Sequence, residues 1–339
     1  MSLWLSSLGA KVSGYSLEPP TKPSLFELAN VKSVLASSTI ADIRDLETLT
    51  KSIASAKPDL VFHMAAQPLV RDSYKIPVET YSTNVMGTVH ILEAVRKTPS
   101  LRAFINITTD KVYENKEWEF GYREHERLGG FDPYSNSKAC SELVTMSYQN
   151  SYFNKNEYSK HKVGIATVRA GNVIGGGDFA NDRLIPDIVR SILEKKKVEI
   201  RNPNSIRPWQ HVLEPIMGYL TLAEKLYSKG KEYGEGWNFG PEEKDAKPVL
   251  YIVKKFQELS KEYKFRDVEF SIFKGKKVHE ANYLKLDISK VKSRLSWSPK
   301  WNLETALEKI LVWTIGYAEK KNVKEITMKQ IEEYSKLLK

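Results

Sequence analysis

Apolar residues Leu3, Trp4 and Leu8 recur at helical spacing, and Val12-Ser13-Gly14-Tyr15-Ser16-Leu17 then alternates as a strand does. Gly9 stands between the two, where a helix end favours a left-handed residue. The same change of period repeats along the chain. A helical stretch near Asp45 to Ala56 precedes the apolar run Asp59-Leu-Val-Phe-His-Met-Ala-Ala66. A helix near Val78 to Lys97 precedes Arg102-Ala-Phe-Ile-Asn-Ile-Thr-Thr-Asp110, and one near Tyr134 to Tyr152 precedes the run from Lys162 to Gly175. Short strands alternating with helices predict an α/β fold on a doubly wound parallel sheet. Ligands gather at the carboxyl ends of such strands, so the residues just after each apolar run are the candidates for chemistry.

With 339 residues, 41% hydrophobic and 28% charged, the chain can bury one large core or two smaller, interleaved ones. It has no run of eighteen apolar residues and no basic stretch before its first apolar ones, which predicts a cytoplasmic protein without membrane attachment. The single cysteine, Cys140, excludes an internal disulfide and a cysteine-based zinc site, and no metal is expected. The net charge of +10 is spread over scattered lysines, and the C-terminal stretch mixes both signs. This pattern argues against nucleic acid as a partner and suits a small phosphate-bearing ligand.

The sharpest local signal is Tyr134-Ser-Asn-Ser-Lys138, in which Tyr and Lys share one helix face. A lysine beside a phenol favours the phenolate and makes the tyrosine a usable base. Such a pair also occurs by chance on exposed helices, so its weight depends on what accompanies it. Ile107-Thr108-Thr109-Asp110-Lys111-Val112-Tyr113 follows one strand and His63-Met64-Ala65-Ala66-Gln67 ends another; Asp42-Ile43 and Asn84 lie near further strand ends. Downstream come Arg169-Ala-Gly-Asn172-Val-Ile-Gly-Gly-Gly-Asp178, Arg183 and Arg207-Pro-Trp-Gln-His211-Val.

In these segments the chain resembles the extended short-chain dehydrogenase/reductases that act on nucleotide sugars. The resemblance implies a Rossmann-type sheet with a smaller, interleaved C-terminal substrate domain. Residues 1–170 and 208–240 would bind NAD, and 171–207 and 241–339 the nucleotide sugar. It implies catalytic roles for Thr109, Asp110, Lys111, Tyr134 and Lys138, and cofactor contacts by Asp42, Ile43, Met64, Ala65, Ala66, Gln67, Asn84, Tyr134 and Lys138. Asn172, Arg183, Arg207, His211, His279 and Tyr283 would face the substrate. Bland readings stand beside these. Asp42 caps the helix at Asp45, Ala65-Ala66 merely allows close packing, Asn84 caps its own helix, and His63 and His211 are structural. The helices near Val78–Lys97 and Tyr134–Tyr152 resemble a pair that builds a four-helix interface, which implies a homodimer or homotetramer.

Thr108-Thr109-Asp110-Lys111-Val112-Tyr113-Glu114-Asn115 and the segment from Gly121 to Thr145 narrow the resemblance to the branch of the family that dehydrates CDP-glucose at C4 and C6. Lys111 is the telling position, because other branches carry glutamate there. The implied reaction gives CDP-4-keto-6-deoxy-glucose, a precursor of deoxy sugars in surface polysaccharide. Asp110 would act as the acid for the departing hydroxyl, and Lys111 either complicates that role or removes the C5 proton. Tyr15-Ser-Leu-Glu18 has no arginine close behind it, which favours NAD over a 2′-phosphate form. The family begins with a strand and a glycine-rich turn, and about 15–25 such residues are expected ahead of Met1. A truncated, non-catalytic nucleotide-sugar binder and a 4-epimerase are the alternatives.

Overall fold

The computed structural model describes residues 1–275 and 283–338. In chain order its strands are β1 (Ser13–Ser16), β2 (Ser37–Ile40), β3 (Leu60–His63), β4 (Ala103–Ile107), β5 (Gly164–Ala170), β6 (Asn172–Ile174), β7 (Val198–Ile200), β8 (Ile206–His211), β9 (Gly236–Phe239), β10 (Ala246–Pro248) and β11 (Phe270–Ile272). The central sheet runs β3-β4-β5-β9, parallel throughout. β1 and β2 pair in parallel as a sheet of their own. The expected parallel, doubly wound sheet is thus present with a break in it, because among the described residues no strand bridges β1 and β3.

Both faces of the central sheet are covered, as a parallel sheet requires. Alternate residues on β4 and β5 serve opposite cores. Ala103, Ile105, Ala166 and Val168 pack with Leu222, Leu226, Trp237 and Trp297, whereas Phe104 and Ile165 pack with Leu49, Ile53, Leu92 and Val95. Helix Leu213–Tyr233 approaches β5 closely where Gly164 meets Gly230, a contact that leaves no room for a side chain on either residue. A separate core joins Ile188 and Ile192 to Phe256, Leu307 and Ile310 and supports β6, β7 and β8. Residues 288–297, expected with the substrate half, instead pack Ile288, Val291, Leu295 and Trp297 into the core of the central sheet.

The expected helices form, with one informative departure. Asp45 caps Leu46–Ala56 by accepting from the Thr48 amide at 3.0 Å, so the capping role considered for Asp42 belongs to Asp45. Gly9 ends the first helix region with a φ of 87°. The stretch near Val78–Lys97 is split into Pro77–Tyr81, a π-helical turn at Ser82–Met86 and Gly87–Arg96. Asn84 lies in that π turn, a distortion that often marks functional positions. Its consequence is seen at the site.

Candidate active site

β4 ends at Ile107, and the chain then turns through Thr108 and Thr109 into the short helix Asp110–Val112. Thr109 Oγ1 accepts from the Lys111 amide at 3.4 Å and donates to Asp110 Oδ1 at 3.0 Å. Lys111 Nζ reaches the same carboxylate oxygen at 3.2 Å. Asp110 is fully buried, and its Oδ2 has no hydrogen-bond partner. An unpaired buried acceptor is costly, so a group that donates to it is welcome there.

Tyr134 opens the helix Pro133–Ser151, with Pro133 in the first turn and Asp132 as cap, accepting from the Ser135 amide at 2.9 Å. Burial of the phenol raises its pKa. Lys111, a hydrogen bond with Thr109 and, more weakly, Arg183 oppose that rise, while Asp110 adds to it. Lys111 is thus the larger of the two cations that bear on the phenol here, ahead of Arg183. Lys138 is 4% exposed and donates from Nζ to the Ile107 carbonyl at 2.8 Å. Burial lowers its pKa to about 8, and Glu142 partly offsets the fall.

Glu142 organises this corner, and the sequence reading passed over it. One turn beyond Lys138 and fully buried, it accepts Thr108 Oγ1 at 2.6 Å and Arg169 Nε at 2.7 Å on Oε1. Oε2 accepts Thr167 Oγ1 at 2.9 Å and Arg169 Nη2 at 2.5 Å. Burial alone would raise the carboxyl pKa, but the guanidinium and the hydroxyls outweigh it and hold the group below the usual range. Arg169 Nη1 continues to Tyr113 Oη at 2.7 Å, which donates to Asn238 Oδ1 at 2.7 Å. The repeat Tyr134, Lys138, Glu142 at four-residue spacing was the available signal.

Asn84 is a brace rather than a free ligand group. Its Oδ1 accepts from the Gln67 amide at 2.8 Å, and Nδ2 donates to the Gln67 carbonyl at 3.1 Å and Ser137 Oγ at 2.8 Å. Gln67 is itself held, donating to Thr80 Oγ1 at 2.9 Å. The π turn thereby ties the loop after β3 to the helix that carries Tyr134. At the end of β3, Met64 is exposed and Ala65 and Ala66 are half-buried. His63 is a satisfied core residue, with Nε2 3.1 Å from Thr88 Oγ1 and a pKa lowered to about 3 by burial and then by Lys138. Ile43 is buried with Leu49 and Leu92, and Asp42 is engaged by Arg44, Nη2 to Oδ2 at 2.6 Å.

Thr109, Lys111 and Tyr134 line a cavity of about 400 Å³ together with Asn172, Arg183 and Arg207. Residues from three distant parts of the sequence thus meet at one floor and one wall. Asn172 Oδ1 is buried without a partner, and Arg207 is 6% exposed with Nη1 on the Ile206 carbonyl at 2.9 Å. Arg183 pairs with Asp178 at 3.1 Å. Of the expected cofactor contacts Tyr134 lines this cavity, whereas Asp42, Ile43, Met64, Ala65, Ala66, Gln67, Asn84 and Lys138 do not.

His211 and Tyr283 stand outside that lining as well. His211 is buried against Trp301 at 4.8 Å between ring centres, with Nδ1 accepting from the Leu213 amide at 3.3 Å. Burial, then Lys309, lower its pKa to about 3, so it is a neutral packing residue. Tyr283 is half-buried and forms a backbone bridge with Ile206, beside Arg207. His279 lies outside the described residues.

The family model for GDP-mannose 4,6 dehydratase matches residues 23–310. A CDP-glucose 4,6-dehydratase of Salmonella typhimurium is 52% identical over 334 residues, 98% of this chain and 92% of the relative. The chain belongs to the GDP-mannose 4,6 dehydratase family. A second family relative, a dTDP-glucose 4,6-dehydratase of Shigella flexneri, is 28% identical over 300 residues, 81% of this chain and 78% of its own. The family fold is also that of a Bacillus cereus UDP-glucuronic acid 4-epimerase, with TM-score 0.77, 23% identity and coverage of 93% and 95% of the two chains. A Bacillus anthracis dTDP-glucose 4,6-dehydratase has TM-score 0.71, 24% identity and coverage of 94% and 93%. This dehydratase-family chain therefore shares a Rossmann-type fold with epimerases and dehydratases alike.

The depressed Lys138 pKa has a direct consequence for stability. Above pH 8 the folded protein has released a proton that the unfolded chain keeps until about pH 10.4. Stability therefore rises with pH across that window. Denaturant titrations at pH 7.5 and 10 are expected to show wild type gaining on Lys138→Met by on the order of 3 kcal/mol. Parallel pH profiles for the two proteins would contradict the placement of Lys138.

Proposed function

We propose that the protein is a CDP-glucose 4,6-dehydratase, forming CDP-4-keto-6-deoxy-glucose and water with NAD as the recycled redox group. The observation that carries the reading is Lys111 beside Tyr134 on the cavity lining, with the buried Asp110 carboxylate 3.2 Å from the Lys111 amine. An epimerase needs no acid for a departing hydroxyl. The name of the Salmonella relative, with its identity over nearly the whole chain, supports CDP-glucose as the substrate.

The residues present fit NAD. Lys138, pinned to the carbonyl at the end of β4, and Met64, Ala65 and Ala66 at the end of β3 would hold it, with Asp42 and Ile43 beyond β2. Asn84 and Gln67 act by fixing the loop. When bound, NAD would supply the hydride acceptor for the sugar C4 and, reduced, the hydride donor for C6. Tyr134 Oη takes the proton of the C4 hydroxyl, with Thr109 Oγ1 as the second partner of that oxygen. The resulting ketone acidifies the hydrogen on C5. Lys111 and Asp110, 3.2 Å apart, are placed as a pair to take up the C5 proton, to deliver one to the departing C6 hydroxyl, which leaves as water, and to return a proton to C5 once C6 is reduced. Arg183 and Arg207 supply cations for the diphosphate, and Asn172 Oδ1 an acceptor for a sugar hydroxyl.

A homodimer through a four-helix interface suits the surface. Val78, Leu143 and Met146 are exposed on helices Pro77–Tyr81 and Pro133–Ser151, which Tyr81 Oη joins by a bond to Asn136 at 2.9 Å. Among the described residues no helix is long and apolar enough to cross a membrane, and the free thiol of Cys140 agrees with a reducing, cytoplasmic compartment.

Incubation with CDP-glucose and NAD is expected to give the 4-keto product, read by its absorbance in alkali. Tyr134→Phe and Asp110→Asn should each lower kcat by about 10²–10⁴-fold. Product from dTDP-glucose but not from CDP-glucose would overturn the choice of substrate. Leu143→Glu is expected to sediment as a monomer, and an unchanged mass would remove the interface.

A further inference from the structure

At the cavity, one carboxylate ties together two arginines from opposite halves of the molecule. Arg71, in the Val70–Lys75 helix after β3, donates from Nη1 to Asp182 Oδ1 at 2.9 Å. Arg201, directly after β7, donates from Nη1 to the same oxygen at 2.9 Å. All three side chains line the cavity that holds Tyr134 and Arg207, and at 47%, 39% and 31% exposure for Arg71, Asp182 and Arg201 they sit at its solvent end. Among the described residues, Asp182 is the only hydrogen-bonded partner of either guanidinium. Asp182 holds a left-handed backbone, φ 57°, in the turn before the helix Leu184–Glu194. That conformation is unfavourable for most side chains and tolerated by aspartate.

Each guanidinium carries five donors in a planar fork suited to carboxylate and phosphate oxygens alike, and Asp182 uses one donor from each. Two guanidiniums share this one carboxylate, while Asp187, which also faces Arg201 and Asp182, has its own partner in Arg190 at 2.7 Å. We propose that Asp182 is an internal stand-in for ligand phosphate. Arg71 and Arg201 exchange its carboxylate for diphosphate oxygens when a nucleoside diphosphate sugar enters, and so draw the two halves together over the ligand. Asp182 keeps the arginines aimed at the cavity in the empty site and competes with the ligand for them. The inference rests on the reading of the cavity as a nucleotide-sugar site and adds to it two binding residues and a competitor.

Equilibrium titration of CDP, UDP, dTDP and inorganic pyrophosphate into wild type, Asp182→Asn, Arg71→Met and Arg201→Met tests it. These side chains are partly exposed, and equal melting temperatures confirm that the variants fold. Asp182→Asn is expected to bind diphosphate several-fold more tightly than wild type, and each arginine variant about tenfold more weakly. In the Arg71→Met/Arg201→Met background, adding Asp182→Asn should change nothing. Unchanged or weaker binding by Asp182→Asn would make the contact a purely structural tie and overturn the proposal. If UDP or dTDP binds better than CDP, the substrate reading falls, while the Asp182 comparison on whichever diphosphate binds still decides the exchange.

Discussion

The buried pair of Glu142 and Arg169 is the constraint around which the catalytic corner is arranged. A carboxylate and a guanidinium, fully buried and 3% exposed respectively, are tolerated because nearly every lone pair and proton has a partner: Thr108, Thr167 and Tyr113 complete the shell. Such a pair has one low-energy geometry. It fixes the helix of Tyr134 and Lys138 against β5, and through Thr108 it fixes the exit from β4 where Thr109, Asp110 and Lys111 follow. Removing either partner would strand a charge in the interior, a loss of about 3–5 kcal/mol. Loss of register at the site would accompany it.

A second device works from the other side. The π turn at Ser82–Met86 points Asn84 at the Gln67 backbone, so the loop after β3 is stapled to the same helix through Ser137. The end of β3, the end of β4 and the start of the catalytic helix are therefore locked together, while the opposite wall is carried by β6, β7 and β8 on a separate core. The proposed catalytic groups Tyr134, Asp110 and Lys111 sit on the locked side. Cations for the ligand lie mostly on the other wall. The cavity lies between these two parts, and the shared ion pair of Asp182 spans that division.

What could be read from sequence was what repeats locally. The helix and strand periods, the Asp45 region helix and the Tyr134–Lys138 pair follow from spacing, because neighbours on a helix face or strand are set by the backbone alone. The resemblance brought Asn172, Arg183 and Arg207 to the cavity beside Thr109, Lys111 and Tyr134, where the structure also places them. What spacing could not give was tertiary competition. Lys138 donates to the Ile107 carbonyl, and Lys111, from a different element, also bears on the phenol. His211 is as near Arg207 in sequence as a ligand group should be, yet the strand turns its ring towards Trp301. The contact of Arg71 with Asp182 spans 111 residues and has no local signature. Between Tyr81 and Gly87 the apolar pattern continues as if through one helix and carries no sign of the π turn, which is set by the backbone bonds.

The account stands on an internal redox cycle in which hydrogen removed at C4 is restored at C6 after water has left. Turnover of CDP-glucose deuterated at C4 tests this most directly, with the product examined by NMR. The arrangement of Tyr134, Asp110 and Lys111 predicts deuterium at C6 and a solvent-derived hydrogen at C5. Deuterium returned to C4 in an isomeric sugar, or lost to solvent, would contradict it.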